Sequence, residues 1–239
     1  MSDTAFQDNV LHARAAFNPT CWTEIAAAGA GDEVSLNDFC QRYWHPLYAF
    51  ARRSGQSVSG AQDLTQDFFS HFLAKDKLQD VKEGKGSFRN FLLILFKRFM
   101  INEYTKANAQ KRGGHLVKMD FDETEEWLAS QTLAPDEIFN KAWALATIEQ
   151  VMNELQTRFE QKKCMNRFEL MRPHLDNTSD LTYKESASQL GCSENSFKVS
   201  MHRLKKEFGK VLRLKVESTL ENSSEIDEEL RFLSEVLRK

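Results

Sequence analysis

The stretch Thr182–Phe208, TYKESASQLGCSENSFKVSMHRLKKEF, carries the most specific local pattern in the chain. Thr182 and, three residues later, Glu185 form a capping box, which predicts the start of a helix. Gly191 predicts the end of this short helix, because glycine adopts the left-handed conformation that a tight turn requires. Ser193 then predicts the start of a second helix. This order is typical of a helix-turn-helix.

The second predicted helix has two chemically different faces. The predicted buried face repeats at spacings of three and four residues: Phe197, Met201, Leu204 and Phe208. The outward face offers amide, hydroxyl, methyl and cationic groups, which contact base edges and phosphates in a DNA major groove. The outward residues are Asn195, Ser196, Lys198, Val199, His202, Arg203, Lys205 and Lys206. An amphipathic hairpin with a solvated basic face is the alternative interpretation.

The composition of the whole chain predicts an all-α protein. Among 239 residues there are 10 glycines and four prolines, about half of the usual share of roughly 12%. That is too few for the many turns of a β-sandwich or barrel. The longest apolar run, Phe91–Phe96, is far short of the ~20 residues of a membrane span. The chain shows no secretory signal and its four cysteines have no metal-ligand spacing, so a cytoplasmic protein with reduced thiols and no metal is expected.

Charge is distributed in blocks along the chain. Residues 75–118 contain 11 basic and four acidic side chains, and residues 181–216 contain eight and three. Between them, residues 119–160 contain two basic and ten acidic side chains. Two separate basic blocks predict two surfaces that face a polyanion, with ordinary solvated helix faces as the alternative.

The first basic block differs from the second because its cations alternate with aromatic residues. Cations beside aromatic rings suit single-stranded or unstacked bases. Most of these aromatics follow a helical spacing and are predicted to be core, while Tyr104 and one Phe near an end are predicted to be available to a base. The cations are Arg89, Lys97, Arg98, Lys106, Lys111 and Arg112.

Apolar periodicity predicts several further helices. One covers about 35–54 with Ser35 as N-cap, one begins at Ser59, and one runs from Ser87 to about Gln110. Others are predicted at 4–16, 21–29, 136–160 and 163–171. In the acidic segment 217–239, an apolar stripe predicts an amphipathic helix that packs on the helix-turn-helix domain or binds a regulator; the stripe is Ile226, Leu230, Leu233 and Leu237.

Together these patterns predict two small helical domains joined by an acidic linker, the second with the helix-turn-helix, and a C-terminal amphipathic helix. The predicted boundaries are 1–34 for an N-terminal helical extension, 35–114 for the first domain, 115–135 for the linker, 136–216 for the second domain and 217–239 for the tail. There is no nucleophile-base pairing, metal-ligand spacing or glycine-rich phosphate loop. No catalytic residue, cofactor or enzyme activity is therefore expected.

Four motifs occur in an order that resembles bacterial RNA polymerase sigma factors of the extracytoplasmic-function (ECF) group. They are YWHPLYAFAR (43–52), AQDLTQDFF (61–69), GSFRNFLLILFKRFMINEY (86–104) and LTYKESASQLGCSENSFKVSMHRLKK (181–206). The resemblance implies that the first domain (region 2) binds core RNA polymerase and opens the −10 promoter element. It implies that the second domain (region 4) reads the −35 element, and that the acidic linker threads polymerase channels.

The resemblance also assigns residues to these roles. The polymerase-facing helix carries Asp63, Leu64, Gln66, Asp67 and Phe68. The −10-facing segment carries Arg89, Lys97, Arg98, Asn102 and Lys106, to which the residue pattern adds Tyr104, Lys111 and Arg112. The −35 recognition helix is Ser193–Arg203, continued by the cations Lys205 and Lys206.

Two positions depart from the family pattern. Phe197 stands where a β-branched residue is usual, and Ser200 stands where many members have arginine. Base preference at the −35 element is therefore left open. Two alternatives to a sigma factor remain: a stand-alone helix-turn-helix regulator, and a helical interaction protein that mimics a sigma domain. An anti-sigma factor or other regulatory protein is a further partner that the resemblance leaves open, and membrane insertion is not expected.

Overall fold

A computed structural model of the protein describes residues 33–73, 87–109, 132–220 and 222–238. These residues form eight α-helices and two short 3-10 helices, with no strand in the described part, so the all-α prediction is confirmed. The α-helices are α1 (Glu33–Arg53), α2 (Val58–Phe72), α3 (Phe88–Ala109), α4 (Pro135–Gln161), α5 (Met165–Met171), α6 (Tyr183–Gln189), α7 (Glu194–Glu217) and α8 (Ile226–Arg238). The predicted helices at 4–16 and 21–29 and most of the predicted linker lie outside the described residues.

Two predicted helix starts were wrong. Helix α1 begins at Glu33, so Ser35 lies inside the helix and is not its N-cap. Helix α2 is capped by Ser57 and not by Ser59, because Ser57 has the extended backbone of an N-cap and its Oγ accepts a hydrogen bond from the Gly60 amide at 3.1 Å.

The caps of the helix pair α6 and α7 agree with the sequence pattern. The capping box is present: the Thr182 amide donates to the Glu185 carboxylate at 2.7 Å, and the Glu185 amide donates to Thr182 Oγ1 at 3.3 Å. Gly191 has a φ of +64°, in the left-handed region where a residue with a Cβ is strained. The Ser196 amide donates to Ser193 Oγ at 3.2 Å, which caps α7.

The chain divides into two compact units whose boundaries fall inside helices. Unit 1 comprises Met1–Ala146 together with Val216–Lys239, and unit 2 is the continuous segment Thr147–Lys215. The first boundary lies within α4, 11 residues after the predicted boundary at residue 135, and the second lies within α7, one residue before the predicted boundary at residue 216.

Aromatic side chains form the core of unit 1. Phe39 on α1 contacts the rings of Phe69, Phe72 and Phe88, with centroid distances of 5.6 to 6.0 Å. These edge-on and stacked contacts add to the hydrophobic stabilisation of burying the rings. The core therefore joins α1, α2 and the first turn of α3, and it fixes which face of α3 is turned to solvent.

Unit 2 has a core of its own beneath α7. Phe197, Met201 and Leu204 are buried, as the spacing predicted, and Phe208 is partly buried. They pack with apolar residues of the second half of α4 and of α5, including Leu155 and Phe168. This packing leaves the opposite face of α7 exposed.

The C-terminal helix α8 belongs to unit 1. The segment before it pairs with the start of α3: the Phe88 amide donates to the Thr219 carbonyl at 3.0 Å, and Ser87 and Leu220 form an isolated antiparallel bridge. Ile226, Leu233 and Val236 are the buried apolar side chains of α8.

Candidate nucleic-acid interface

The exposed face of α3 combines one cation with apolar side chains. Arg98 and Asn102 are exposed, and Tyr104, which was predicted to be available to a base, is 68% exposed. Ile101 is 65% and Ile94 50% exposed on the same helix. Residues three, four and seven apart lie on one helix face, so Ile94, Arg98 and Ile101 form a continuous stripe.

Two other cations of α3 have acidic neighbours. Lys97 Nζ lies 2.5 Å from Asp136 Oδ1 and 5.4 Å from the centre of the Phe50 ring. Lys106 Nζ lies 2.7 Å from Glu103 Oε1 in the next turn back. Both pairs are partly or largely exposed, and ion pairs in water are weak enough to exchange for a phosphate.

Arg89 does not lie on this exposed surface. It is predicted to face −10 DNA, but its side chain is 4% exposed and its guanidinium group pairs with Glu229 of α8 at 3.0 Å. The physical reason is its place in the first turn of α3, which the aromatic core turns inward. Lys111 and Arg112 lie outside the described residues.

The residues predicted to face polymerase divide by burial along α2. Gln66 and Asp67 are exposed, and Asp63 and Leu64 are half-buried. Phe68 is 3% exposed and contacts the rings of core aromatics, including Phe96 at 5.0 Å. The accessible set is therefore Asp63, Leu64, Gln66 and Asp67, while Phe68 belongs to the core.

The first turns of α7 expose polar groups and one apolar group. Asn195, Ser196 and Val199 are exposed. Lys198 is also exposed, and its Nζ lies 2.6 Å from Glu194 Oε1 one turn earlier. The hydrogen bond and charge of Lys198 lower the pKa of the Glu194 carboxyl, so this carboxyl stays ionised.

Farther along α7 the exposed side chains are cationic. His202, Arg203, Lys205 and Lys206 are all exposed. Arg167 of α5 adds a guanidinium group beside this helix, because its Nη2 donates to Ser200 Oγ. Nothing in the local sequence identified Arg167, since the contact joins residues 33 positions apart.

A buried histidine lies directly beneath α7. His174 Nε2 is 2.8 Å from Ser186 Oγ, and its ring packs edge-on to Tyr183 and Phe197. Burial, and secondarily the charge of Lys205, lowers the pKa of His174 below its ordinary value. The neutral imidazole is therefore the form that supports the packing of α6 against α7.

The described residues contain neither a cluster of metal-ligating side chains nor a membrane-spanning helix. Within residues 33–73, 87–109, 132–220 and 222–238, no group of three His, Cys, Asp or Glu side chains is placed to hold a metal ion. No helix in that part of the chain is long and apolar enough to cross a membrane.

Comparison with known proteins identifies the family. The sequence model of the family described as ECF sigma factor matches residues 23–213, which includes both exposed helix faces. No curated protein and no solved structure matches the chain. Members of this family act in transcription initiation and are not a class of enzymes. Because the match covers 191 of 239 residues, the chain belongs to the ECF sigma factor family.

Proposed function

We propose that the chain binds core RNA polymerase through α2, opens the −10 promoter element with the exposed face of α3 and reads the −35 element with α7. The observation that carries this proposal is the difference between the two exposed helix faces. The α3 face has a cation beside large apolar groups, whereas the α7 face has amide and hydroxyl groups followed by a run of cations.

The α3 face suits DNA whose bases are unstacked. Tyr104 is a ring on which a base can stack, and Ile101 offers an apolar contact to a base face. Arg98 lies one helical turn from Ile101, where its charge can hold the adjacent phosphate. Duplex DNA hides its base faces, so these side chains gain most from a melted strand.

The α7 face suits an intact duplex. Residues near the start of a recognition helix contact base edges, so Asn195, Ser196 and Lys198 are proposed as base readers and Val199 as a contact to a thymine methyl group. His202, Arg203, Lys205 and Lys206 follow, where the DNA backbone is the expected partner.

The proposed polymerase surface rests on α2. Asp63 and Asp67 lie four residues apart and so share one helix face, with Gln66 exposed beside them. Two carboxylates on one face favour a basic partner surface over a nucleic acid, because phosphates would repel them.

The decisive experiment is run-off transcription with purified core RNA polymerase and fragments of genomic DNA. Discrete transcripts that require both the chain and the core enzyme support the proposal. A chain that binds duplex DNA tightly by itself, as a dimer, indicates a stand-alone regulator. A chain that binds polymerase or another sigma factor without giving transcripts indicates a sigma-mimicking interaction protein.

A further inference from the structure

The guanidinium of Arg89 is buried, and each of its three nitrogens donates a hydrogen bond. Its Nε donates to Glu229 Oε1 at 3.0 Å and its Nη2 donates to Oε2 at 3.1 Å, so the ion pair is bidentate. Its Nη1 donates to the side-chain oxygens of Asn140 and Asn90.

Two aromatic rings enclose the same group. The guanidinium carbon lies 4.8 Å from the Trp143 ring centre and 4.2 Å from the Phe232 ring centre. Arginine suits such a place because its planar fork pairs with a carboxylate while its faces stack on rings. Three helices of unit 1 thus meet on one side chain: Arg89 comes from α3, Trp143 from α4 and Phe232 from α8.

This arrangement is an anchor rather than a free DNA contact. To reach a phosphate, Arg89 would have to leave a buried carboxylate and two rings, and Glu229 would then remain buried without a cation. Separating one partner from a buried ion pair is strongly unfavourable. The exposed Arg98 is available on the same helix without that cost.

We propose that Glu229 is a positioning residue for α3, which acts through Arg89 to set the direction of the helix that carries Arg98 and Tyr104. The lever is long, because the 15 residues from Arg89 to Tyr104 at about 1.5 Å per residue span about 22 Å. A tilt of about 10° at the first turn therefore moves Tyr104 by about 4 Å. This inference rests on the proposed role of α3 in opening −10 DNA.

The test compares Glu229→Gln with the matched control Glu228→Gln in the full chain, assembled with core polymerase. Glu228 is exposed and adjacent in sequence. We expect Glu229→Gln to lower transcription from a duplex promoter about tenfold, which corresponds to about 1.4 kcal/mol. On a template already melted at the −10 element the loss is expected to be less than twofold. Affinity for core polymerase, and all activities of Glu228→Gln, are expected to stay unchanged.

Arg89→Lys separates positioning from direct DNA contact. Lysine keeps the charge but lacks the fork, so positioning predicts the same loss as for Glu229→Gln. The double variant is expected to lose no more than either single variant, because both changes break one interaction. Phe232→Leu keeps the ion pair and removes one ring, so it is expected to lower transcription from the duplex promoter by a smaller factor. This variant replaces Glu229→Gln in the test if Glu229→Gln does not fold.

Three outcomes overturn the inference. Higher transcription by Glu229→Gln would mean that Arg89 is a DNA contact that α8 restrains, and unchanged transcription would mean that Glu229 does not position α3. Normal activity of Arg89→Lys would mean that charge alone matters. If Glu229→Gln and Phe232→Leu both lower polymerase binding and lower transcription equally on the two templates, the role of Glu229 is in folding only. If the double variant Arg98→Ala, Tyr104→Ala loses equal activity on the duplex and the pre-melted template, the proposed function of α3 is contradicted. If that double variant loses more activity on the duplex template and Glu229→Gln does not, only the positioning role is contradicted.

Discussion

On α7, substitutions of single residues are expected to affect DNA binding in different ways, because the proposed function assigns base contacts to some residues and phosphate contacts to others. Asn195→Ala or Lys198→Ala is expected to cost about 1–3 kcal/mol at particular base pairs and to relax the preference there. Arg203→Ala is expected to weaken binding to all −35 sequences about equally and to lower the salt slope by about 0.9, since one phosphate contact is lost.

The measurement is binding by holoenzyme to a library of −35 variants at two salt concentrations. Lys210→Ala is the control, because Lys210 lies later on α7 and pairs with Glu207 at 2.9 Å. If Lys198→Ala and Arg203→Ala give the same uniform loss with base preference unchanged, α7 is not the base reader.

Acidification is expected to destabilise unit 2 through His174. Its pKa is lowered in the folded state, so between the ordinary value of 6.5 and the lower folded value the unfolded chain binds more protons. Stability therefore falls as the pH decreases through 6.5. Carboxyls with lowered pKa values, such as that of Glu185, lose their contribution to the stability of the fold only below about pH 4.5.

Hydrogen exchange of residues 183–217 measures this effect. Protection is expected to fall between about pH 7.5 and pH 5.5, after correction for the intrinsic exchange rate. His174→Gln, which does not titrate, is expected to have a smaller pH dependence. An equal pH dependence in both proteins would show that another group is responsible.

At the scale of one helix, α2 offers a charge-reversal test of polymerase binding. Asp63→Arg with Asp67→Arg is expected to lower affinity for core polymerase at least tenfold, about 1.4 kcal/mol, with helicity unchanged. The control is Glu149→Arg with Glu169→Arg, which makes the same charge change at exposed positions of unit 2. Co-purification of the Asp63/Asp67 variant with core enzyme at wild-type levels would contradict the proposed surface.

Helix α3 is expected to matter for strand opening more than for binding an open strand. Replacing Lys97, Arg98, Tyr104 and Lys106 by Ala is expected to lower transcription from a duplex promoter far more than from a pre-melted one, since one stacked base is worth about 1–3 kcal/mol. Initial rates on the two templates measure the ratio. Equal losses on both templates would show that α3 does not assist melting.

Helices and helix caps could be predicted from the sequence where residues close together in the chain determine them. The capping box at Thr182 and the glycine turn at Gly191 need only a few residues, and both are present. The exposure of Ile94 could not be predicted, because α3 is apolar over nearly its whole circumference at that point and only tertiary packing selects its buried face.

The candidate site was predictable to a similar degree. The exposed residues of α7 could be predicted from the helical spacing of its apolar residues alone. The buried position of Arg89 could not be predicted, because its partner Glu229 lies 140 residues away and no local pattern links them. The motif AQDLTQDFF assigned Phe68 to the polymerase-facing surface, but the motif does not show which of its residues are buried in the core.

For the whole molecule, loss of α8 is expected to destabilise unit 1 selectively. A chain ending at Leu220 lacks the Glu229 carboxylate and the Phe232 ring that contact Arg89, and it lacks the buried apolar side chains of α8. Residues 147–215 of unit 2 contain no tryptophan, whereas Trp44 and Trp143 belong to unit 1, so tryptophan fluorescence does not report on unit 2. The fluorescence midpoint in urea is expected to fall, while hydrogen exchange in α6 stays unchanged. An unchanged midpoint would show that α8 adds little to the stability of unit 1.

The division of unit 1 into two sequence segments also affects the order in which the two units can fold during synthesis on the ribosome. Residues 216–238 complete unit 1, yet they are synthesised after all 69 residues of unit 2. At about 5–20 residues per second, the nascent chain waits several seconds between finishing α3 and receiving Glu229. Unit 2 is continuous and can form in that interval, whereas Arg89 meets its carboxylate only as translation reaches α8. The basic helix α3 therefore stays without this anchor until translation reaches α8.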